Sequence, residues 1–238
     1  SGDESTEAVF GQVFVNPENG PTSADPEAPT MIENNYSFDH GPVHIAVVNS
    51  NYWVRSHLDR QDHPGGRGGQ REGWLNDEIL EWLDEDLADA RRRGSTHLFV
   101  CTHEPGFPNG GHAHDAMYWN GEIPEVLTQR DRFFHIMARH RVAALLVGDE
   151  HNYSRTIVDD QLVEGLERPL WQLTSGGAGA PYYAQDLEVP WTDHVRAFDP
   201  RQHFLFVETT GGRSGRARVE VIDIQGALVD PVDLYSHN

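Results

Sequence analysis

Two short apolar runs in the sequence each lead into residues that can bind a metal. The run 98–102 is followed by His103, and the run 144–147 is followed by Asp149 and His151. Imidazole and carboxylate groups bind Zn, Fe, Mn or Co, and carboxylate oxygens also bind Mg. Spacing alone does not separate such a site from a set of structural polar side chains, because short motifs also match by chance.

These runs have the composition of buried strands in an α/β sheet. A short, continuous apolar segment bounded by turn residues is typical of such strands. In α/β sheets, ligands bind at the carboxyl ends of the strands, where loops leave the scaffold. We therefore predict that His103, Asp149 and His151 lie together at one sheet edge.

A helix is predicted shortly before the first run. Asn76 can cap its N-terminus, and Gly94 can end it after three consecutive arginines. Apolar side chains recur at helical spacing on one face, and these are Ile79, Leu80, Leu83, Leu87 and Ala90. A second helix is predicted over 130–141, and further strands over 43–48, 170–174, 204–208 and 218–224.

Segments rich in Pro, Gly, Asn and Asp are predicted to be loops, and these are residues 16–30, 60–73, 104–121 and 176–201. The loop 104–121 contains G-G-H-A-H-D together with Trp and Pro, an unusual content for a passive connection. Long loops in compact domains are often functional. For His112 and His114 in this loop, the alternative is a position on a mobile surface.

The composition restricts the classes of partner. The 238 residues carry 38 acidic and 18 basic side chains, a formal net charge of −20, and every basic residue is Arg. A charge of this sign disfavours duplex nucleic acid and anionic membranes, because it repels phosphate groups at long range. Cys101 is the single cysteine, so no intrachain disulfide forms, and its place in a predicted strand indicates a buried, inert thiol.

The sequence leaves the cellular compartment open. No apolar run approaches the length of a transmembrane helix, so we expect a soluble protein. The first residues, S-G-D-E-S-T-E, are neither a signal peptide nor an initiator Met. This start favours removal of an upstream segment and is compatible with a secreted or periplasmic protein.

Two motifs carry a family resemblance. V-C-T-H-E-P (residues 100–105) and G-D-E-H-N-Y-S-R (residues 148–155) resemble the last two motifs of calcineurin-like metallophosphoesterases, especially the purple-acid-phosphatase-like branch. That family carries V-x-x-H and then G-H-x-H, commonly continuing N-Y-x-R. W-L-N-D-E-I-L-E-W-L and T-S-G-G-A-G are also similar to family segments in the same order. The resemblance covers roughly residues 30–180.

The resemblance implies a fold and an activity. The fold would be part of a four-layer α/β/β/α sandwich, with mixed β sheets flanked by helices. The activity would be that of a metal-dependent phosphoric ester hydrolase, a phosphomonoesterase or phosphodiesterase that uses a metal-activated hydroxide. Its cofactors would be two divalent or trivalent ions drawn from Fe, Zn, Mn or Mg, and its substrate a small phosphoester.

The resemblance also assigns roles by position. His103 would bind one metal and His151 the other, and Asp149 stands where the family has a histidine ligand. His112 or His114 would protonate the leaving group, a role that suits the near-neutral pKa of imidazole. Asn152 and Arg155 would either orient the phosphate or tie the loop down.

The sequence departs from the family in its earlier part. The family's earlier motifs, D-x-H, G-D-x-x-D or G-D-x-x-Y, and G-N-H-E/D, are not found ahead of His103, so residues 1–238 are interpreted as one domain lacking the N-terminal motif-bearing part. An incomplete sandwich would expose apolar sheet surface, which predicts a homo-oligomer or association with the missing part. The alternative function is a catalytically inactive phosphoesterase-like module for binding or assembly.

Overall fold

The computed structural model describes residues 6–25, 28–54, 69–212 and 215–235. The helices are α1 (Thr6–Val13), α2 (Asp77–Arg93) and α3 (Pro124–Arg139). The strands are β1 (Tyr36–His40), β2 (Val43–Val48), β3 (Trp53–Val54), β4 (Gly69–Gln70), β5 (His97–Thr102), β6 (Ala144–Val147), β7 (Tyr153–Val158), β8 (Leu170–Ser175), β9 (Val195–Asp199), β10 (His203–Thr209), β11 (Ala217–Asp223) and β12 (Leu228–Asp233). Short 3-10 turns lie at Trp119–Gly121 and Thr192–His194.

Helix α2 forms where its end signals predict. The Asn76 side chain accepts a hydrogen bond from the backbone N–H of Ile79 at 2.9 Å, and Gly94 ends the helix with φ 101°. Helix α3 begins at Pro124, earlier than the predicted 130–141, because proline is favoured in the first helical turn.

A seven-stranded mixed sheet forms the centre of the described chain. Its strand order is β1-β2-β5-β6-β8-β7-β9. The pairs β2/β5, β5/β6 and β6/β8 are parallel, whereas β1, β7 and β9 pair antiparallel with their neighbours. The carboxyl ends of β5 and β6 therefore lie side by side, as the sequence predicts.

The two faces of this sheet are covered by different layers. Alternate side chains of β5, such as Leu98 and Val100, pack with the apolar faces of α2 and α3. Phe99, between them, points to the other face and packs in a second core with residues of β11 and β12. The antiparallel sheet β10-β11-β12 thus covers that face. The described layers are α/β/β, which confirms the predicted class of mixed sheets flanked by helices.

Some predicted loops contain regular structure. Residues 195–199, within the expected loop 176–201, form β9, and residues 69–70, at the end of the expected loop 60–73, form β4. These are corrections: both strands are held by pairing with distant strands rather than by a local apolar pattern. Residues 60–68 of the second loop lie outside the described residues.

In the described part of the chain, no helix combines the length and the apolar character needed to cross a membrane. Cys101 lies in β5, where burial raises the pKa of its thiol to about 11. Such a thiol stays protonated at neutral pH and is a poor nucleophile, in keeping with the inert role predicted for it.

Candidate metal centre

The turns after β5 and β6 bring the first candidate ligands together. Thr102 pairs with Val147 in the parallel ladder, and the backbone N–H of Gly148 donates to the carbonyl oxygen of His103 at 3.0 Å. As a result, Nε2 of His103 lies 3.3 Å from Oδ1 of Asp149. These two predicted ligands therefore share one site.

Glu104 is a third member of the site that was not predicted. Ligand atoms of His103, Glu104 and Asp149 all lie within 4.8 Å of one another. The Glu104 side chain is almost fully buried, and its backbone N–H donates to Oγ of Ser50, just after β2, at 2.9 Å. The only sequence signal for Glu104 was its position directly after His103, in T-H-E-P.

The turn at residues 148–152 gives Asp149 its position. Two tight backbone hydrogen bonds, from Glu150 to Gly148 and from Asn152 to Glu150, both measure 2.7 Å. Asp149 has φ 63°, in the left-handed region, where Asp, Asn and His are the non-glycine residues found most often. The turn therefore accepts either Asp or the histidine that the resembling family carries there.

The titrating groups of the site are strongly coupled. Burial, and then the negative charge of Asp149, raise the pKa of Glu104 to about 8. Burial also disfavours the charged form of Asp149, but its hydrogen bond to His103 and the nearby imidazoles outweigh burial and lower its pKa. That hydrogen bond is the main cause of the raised pKa of His103. Glu104 is therefore protonated near neutral pH, and its carboxyl O–H donates a hydrogen bond to the Asp149 carboxylate.

His112 lies at the same site. Its Nδ1 is 3.0 Å from Oδ1 of Asp115 and 3.2 Å from Oδ2 of Asp149. Because ionised carboxylates only accept hydrogen bonds, Nδ1 carries a proton. His114 is farther out: its Nε2 lies 3.2 Å from Oδ2 of Asp115, and 66% of its side-chain surface is exposed. The structure thus brings His112, but not His114, to Asp149.

Side chains from the sheet fix the loop that carries His112. The buried carboxylate of Glu150 accepts hydrogen bonds from the backbone N–H groups of Asn109 (2.6 Å) and Gly110. The Asn109 amide in turn donates to Ser154 and Thr156 on β7, at 3.0 and 2.9 Å. These hydrogen bonds anchor residues 109 and 110, the part of the loop that leads into His112.

His151 is not a member of the three-residue cluster. Its Nδ1 lies 2.8 Å from the carbonyl oxygen of Pro181, and its ring stacks on Tyr183 with centroids 4.2 Å apart. A carbonyl can only accept, so the proton is on Nδ1, and in the neutral ring the lone pair is on Nε2. This is the arrangement in which metal-bound histidines are usually held.

Asn152 and Arg155 have different surroundings. Arg155 binds Asp230 of β12 at 2.8 Å and lies over the ring of Trp171, so its guanidinium ties the two sheets together. Asn152 is fully buried, and among the described residues neither polar atom of its side chain has a hydrogen-bond partner. A side chain on Gly110 would lie 2.8 Å from the Asn152 amide nitrogen, so a glycine is needed beside it.

The donor set fits a metal ion. One imidazole nitrogen and two carboxylates suit Zn, Mn or Fe, and a purely oxygen-bound Mg is also compatible with the two acids. Oδ2 of Asp149 is buried, and among the described residues it makes no hydrogen bond of good geometry, although Nδ1 of His112 lies 3.2 Å away; this carboxylate oxygen therefore retains acceptor capacity for a cation. Glu104 would release its proton on binding a cation, since ligating carboxylates are ionised.

Comparison with known proteins identifies the fold. No protein family model matches the sequence, and no curated protein matches it. A solved structure of a purple acid phosphatase from yellow lupin (Lupinus luteus) seeds is similar, with TM-score 0.57 and 18% identity over 83% of this chain and 32% of that one. A structure of PhoD has TM-score 0.49 and 13% identity over 93% of this chain and 47% of that one.

These findings define the fold of the chain. The mixed sheet, the second sheet and the likeness to the lupin phosphatase give the chain a metallophosphoesterase fold, as its motifs predict. The chain spans about a third of the lupin protein and about half of PhoD.

Proposed function

We propose that the chain provides the metal-binding half of a metal-dependent phosphoric ester hydrolase. The observation that carries this proposal is the His103–Glu104–Asp149 cluster at the carboxyl ends of β5 and β6. In α/β sheets this is the edge at which ligands bind. The similarity in fold to a phosphatase supports the same reaction class.

Different residues of the site have different roles in this proposal. His103, Glu104 and Asp149 hold an ion, and His151, with its lone pair on Nε2, is the candidate ligand for a second. A bound ion supplies an acidified water and polarises a phosphoryl oxygen. His112, oriented by Asp115 at 3.0 Å, keeps a proton on Nδ1 and in its imidazolium form donates the other, on Nε2, to the leaving alkoxide.

The substrate class follows from charge. The formal charge of −20 repels duplex nucleic acid at long range, so we infer a small phosphomonoester or phosphodiester. Asn152 is fully buried, and its amide has no partner among the described residues, so it would act on the ester through a neighbouring residue and not by direct contact.

A catalytically silent binding or assembly module is the second candidate. It is favoured by the hydrogen bond from protonated Glu104 to ionised Asp149, since two acids paired in this way need no metal ion to balance their charge. It is also favoured by Arg155, which is committed to Asp230.

The two candidates are separated by an assay for ester hydrolysis. The chain is assayed with phenyl phosphate in Mn²⁺ or Zn²⁺, beside His103→Ala and a control, His40→Ala, at an exposed position on β1. The hydrolase proposal requires turnover that depends on the ion, persists in His40→Ala and falls at least about 100-fold in His103→Ala, since metal ligands supply several kcal/mol of stabilisation. Turnover equal in all three proteins would rule out the cluster as the catalytic centre.

A further inference from the structure

A cavity lies at the opposite end of the central sheet from the candidate metal centre. Its volume is about 740 Å³, and it is bordered by the residues that precede β5, β6 and β8, among them Thr96, Val142 and Pro169. Strand β5 separates the two places, and its six residues span about 20 Å. The cavity is therefore distinct from the metal centre.

The charge of this cavity is opposite to that of the protein. Its described lining contains Arg91, Arg139, Arg141 and Arg168 and no acidic residue. The whole chain has 38 acids against 18 arginines, so a lining of four arginines, of which among the described residues only Arg139 is paired with an acid, departs strongly from the surrounding composition. A positive concavity in a negative protein attracts small anions by focusing the field.

One arginine forms the wall of the cavity and is fixed by the backbone. Arg91 donates to the carbonyl oxygens of Thr96 (2.8 Å), His140 (2.8 Å) and Arg141 (2.8 Å). These contacts hold the guanidinium at the C-terminal ends of α2 and α3, but they do not neutralise its charge. Burial lowers the pKa of Arg91, the Tyr235 side chain raises it and the charge of Arg141 lowers it again, so the net shift is downward.

The guanidinium groups of two further arginines are available to bind a ligand. Among the described residues, Arg141 and Arg168 have no ion pair or side-chain hydrogen bond. Arg139, in contrast, is paired with Asp84 at 2.7 Å. The cavity therefore offers two available forked donors beside a third, fixed positive charge.

The rest of the lining contains histidine, tyrosine and apolar side chains. His97 Nε2 donates to the carbonyl oxygen of Thr210 at 2.8 Å, which leaves Nδ1 to accept from the Tyr235 hydroxyl at 2.7 Å. The Tyr235 ring and the side chains of Val142 and Leu234 add apolar surface to the lining. A volume of this size is in the range of small-molecule pockets and exceeds the needs of a bare inorganic ion.

We propose that this cavity binds a small organic phosphate, with its dianionic group held by Arg141 and Arg168. A phosphate monoester carries close to two negative charges at neutral pH, which match two guanidinium groups, and its oxygens accept paired N–H donors. The organic part packs against the exposed Tyr235 ring. Binding here requires neither a metal nor turnover.

The test is calorimetric titration with phenylphosphonate, a probe whose P–C bond resists hydrolysis, at low salt and with EDTA present. The proposal predicts one site per chain and at least about tenfold weaker affinity in Arg141→Gln and in Arg168→Gln, since a hydrogen bond to a charged group contributes this much. Arg196→Gln, at an exposed position on β9, removes the same charge elsewhere and should bind as the unaltered protein does.

The results of three further measurements support or overturn the proposed phosphate site. His103→Ala should bind the probe normally, because the site is far from the metal centre, whereas loss of binding in that variant would place the probe there. Phenylacetate, a monoanion, should bind more weakly, and equal affinity would overturn the assignment to phosphate. No heat of binding at millimolar probe, or unchanged affinity in both arginine variants with unchanged thermal midpoints, would overturn the site itself.

Discussion

At the scale of single residues, the protonation state or the orientation of each group in the site depends on a neighbouring side chain. Asp149 is ionised beside His103, while Glu104 is protonated against Asp149. Asp115 and Asp149 both face Nδ1 of His112. The arrangement favours His103 as a metal ligand, because it lies among carboxylates. It favours His112 as a proton donor, because two carboxylates fix the orientation of its ring.

The role of His112 is tested by varying the leaving group. In His112→Ala, we expect kcat for phenyl phosphate to fall by about 100-fold or more, since general acids contribute this range. The loss should be much smaller for p-nitrophenyl phosphate, whose leaving group departs without a proton. His114→Ala, on the exposed side of Asp115, is the matched control. Equal losses for both esters would show that His112 acts in binding or folding instead.

At the scale of elements, polar side chains of the sheet hold the loop in place over the site. Asn109 of the loop donates to Ser154 and Thr156 of β7, and Glu150, in the turn before β7, accepts from the loop backbone. Gln172 of β8 accepts hydrogen bonds from the backbone N–H groups of Gly106 and Phe107 at 3.0 and 3.1 Å. Each is a buried side chain that forms hydrogen bonds with the partners named, so removal of one leaves those partners unsatisfied.

We expect Glu150→Gln to loosen this loop. The carboxylate accepts backbone N–H groups of Asn109 and Gly110, and an amide turns a donor toward one of them, at a cost of about 2 kcal/mol. Hydrogen exchange should speed up at those two amides, while exchange in α2 changes little. Glu164→Gln, at an exposed position, should leave the loop unchanged. Unaltered exchange in Glu150→Gln would contradict the anchoring role.

Local signals predicted some elements and failed for others. Helix α2 was predictable because its cap, apolar face and terminal glycine lie within 19 residues of sequence, 76–94. Strand β12 contains Pro231, which argues against a strand, yet it is an edge strand where proline is tolerated. Strand β7 buries Ser154 and Thr156 against Asn109, more than forty residues away in sequence. No local pattern contains that partner.

The site was predictable to the same extent. His103 and Asp149 follow strands that are adjacent and parallel, so their approach follows from topology. Glu104 and the orientation of His151 depend on how the chain turns after each strand. That turning is set by contacts with Ser50 and Pro181, which the motifs do not contain.

At the scale of the whole molecule, the described chain is a three-layer structure with one outer sheet face exposed. Phe204 and Phe206 of β10 and Leu228 of β12 have 53%, 48% and 53% of their surface accessible. The association predicted from the sequence, with another copy or with a further segment, stays a prediction.

The stability of the molecule should depend on pH through His44. This buried side chain lies between Asp39 (2.7 Å) and Asp86 (2.8 Å), so it joins β1, β2 and α2. Burial lowers its pKa, but the hydrogen bonds to Asp86 and Asp39 outweigh burial, and the pKa is raised. Its contribution is therefore complete below the unfolded pKa of about 6.5 and is lost as pH rises through the folded value.

Denaturant unfolding of the metal-free protein between pH 5.5 and 9 measures this contribution. We expect His44→Gln to lose more stability at pH 5.5 than at pH 9 relative to the unaltered protein, because only the charged imidazole gains from both acids. His40→Gln, exposed at the end of β1, should show no such trend. A His44→Gln deficit that grows with pH would reverse the assigned sign.

The central claim is that residues 103, 104 and 149 hold a metal ion, and the most direct test counts ions on the protein. The chain is dialysed against Mn²⁺ or Zn²⁺ and analysed by mass spectrometry, beside the double variant His103→Ala/Asp149→Asn and the control His40→Ala. We predict at least one tightly held ion per chain in the unaltered and control proteins and its loss from the double variant. An equal number of ions on all three proteins, or none on any of them, would contradict the account.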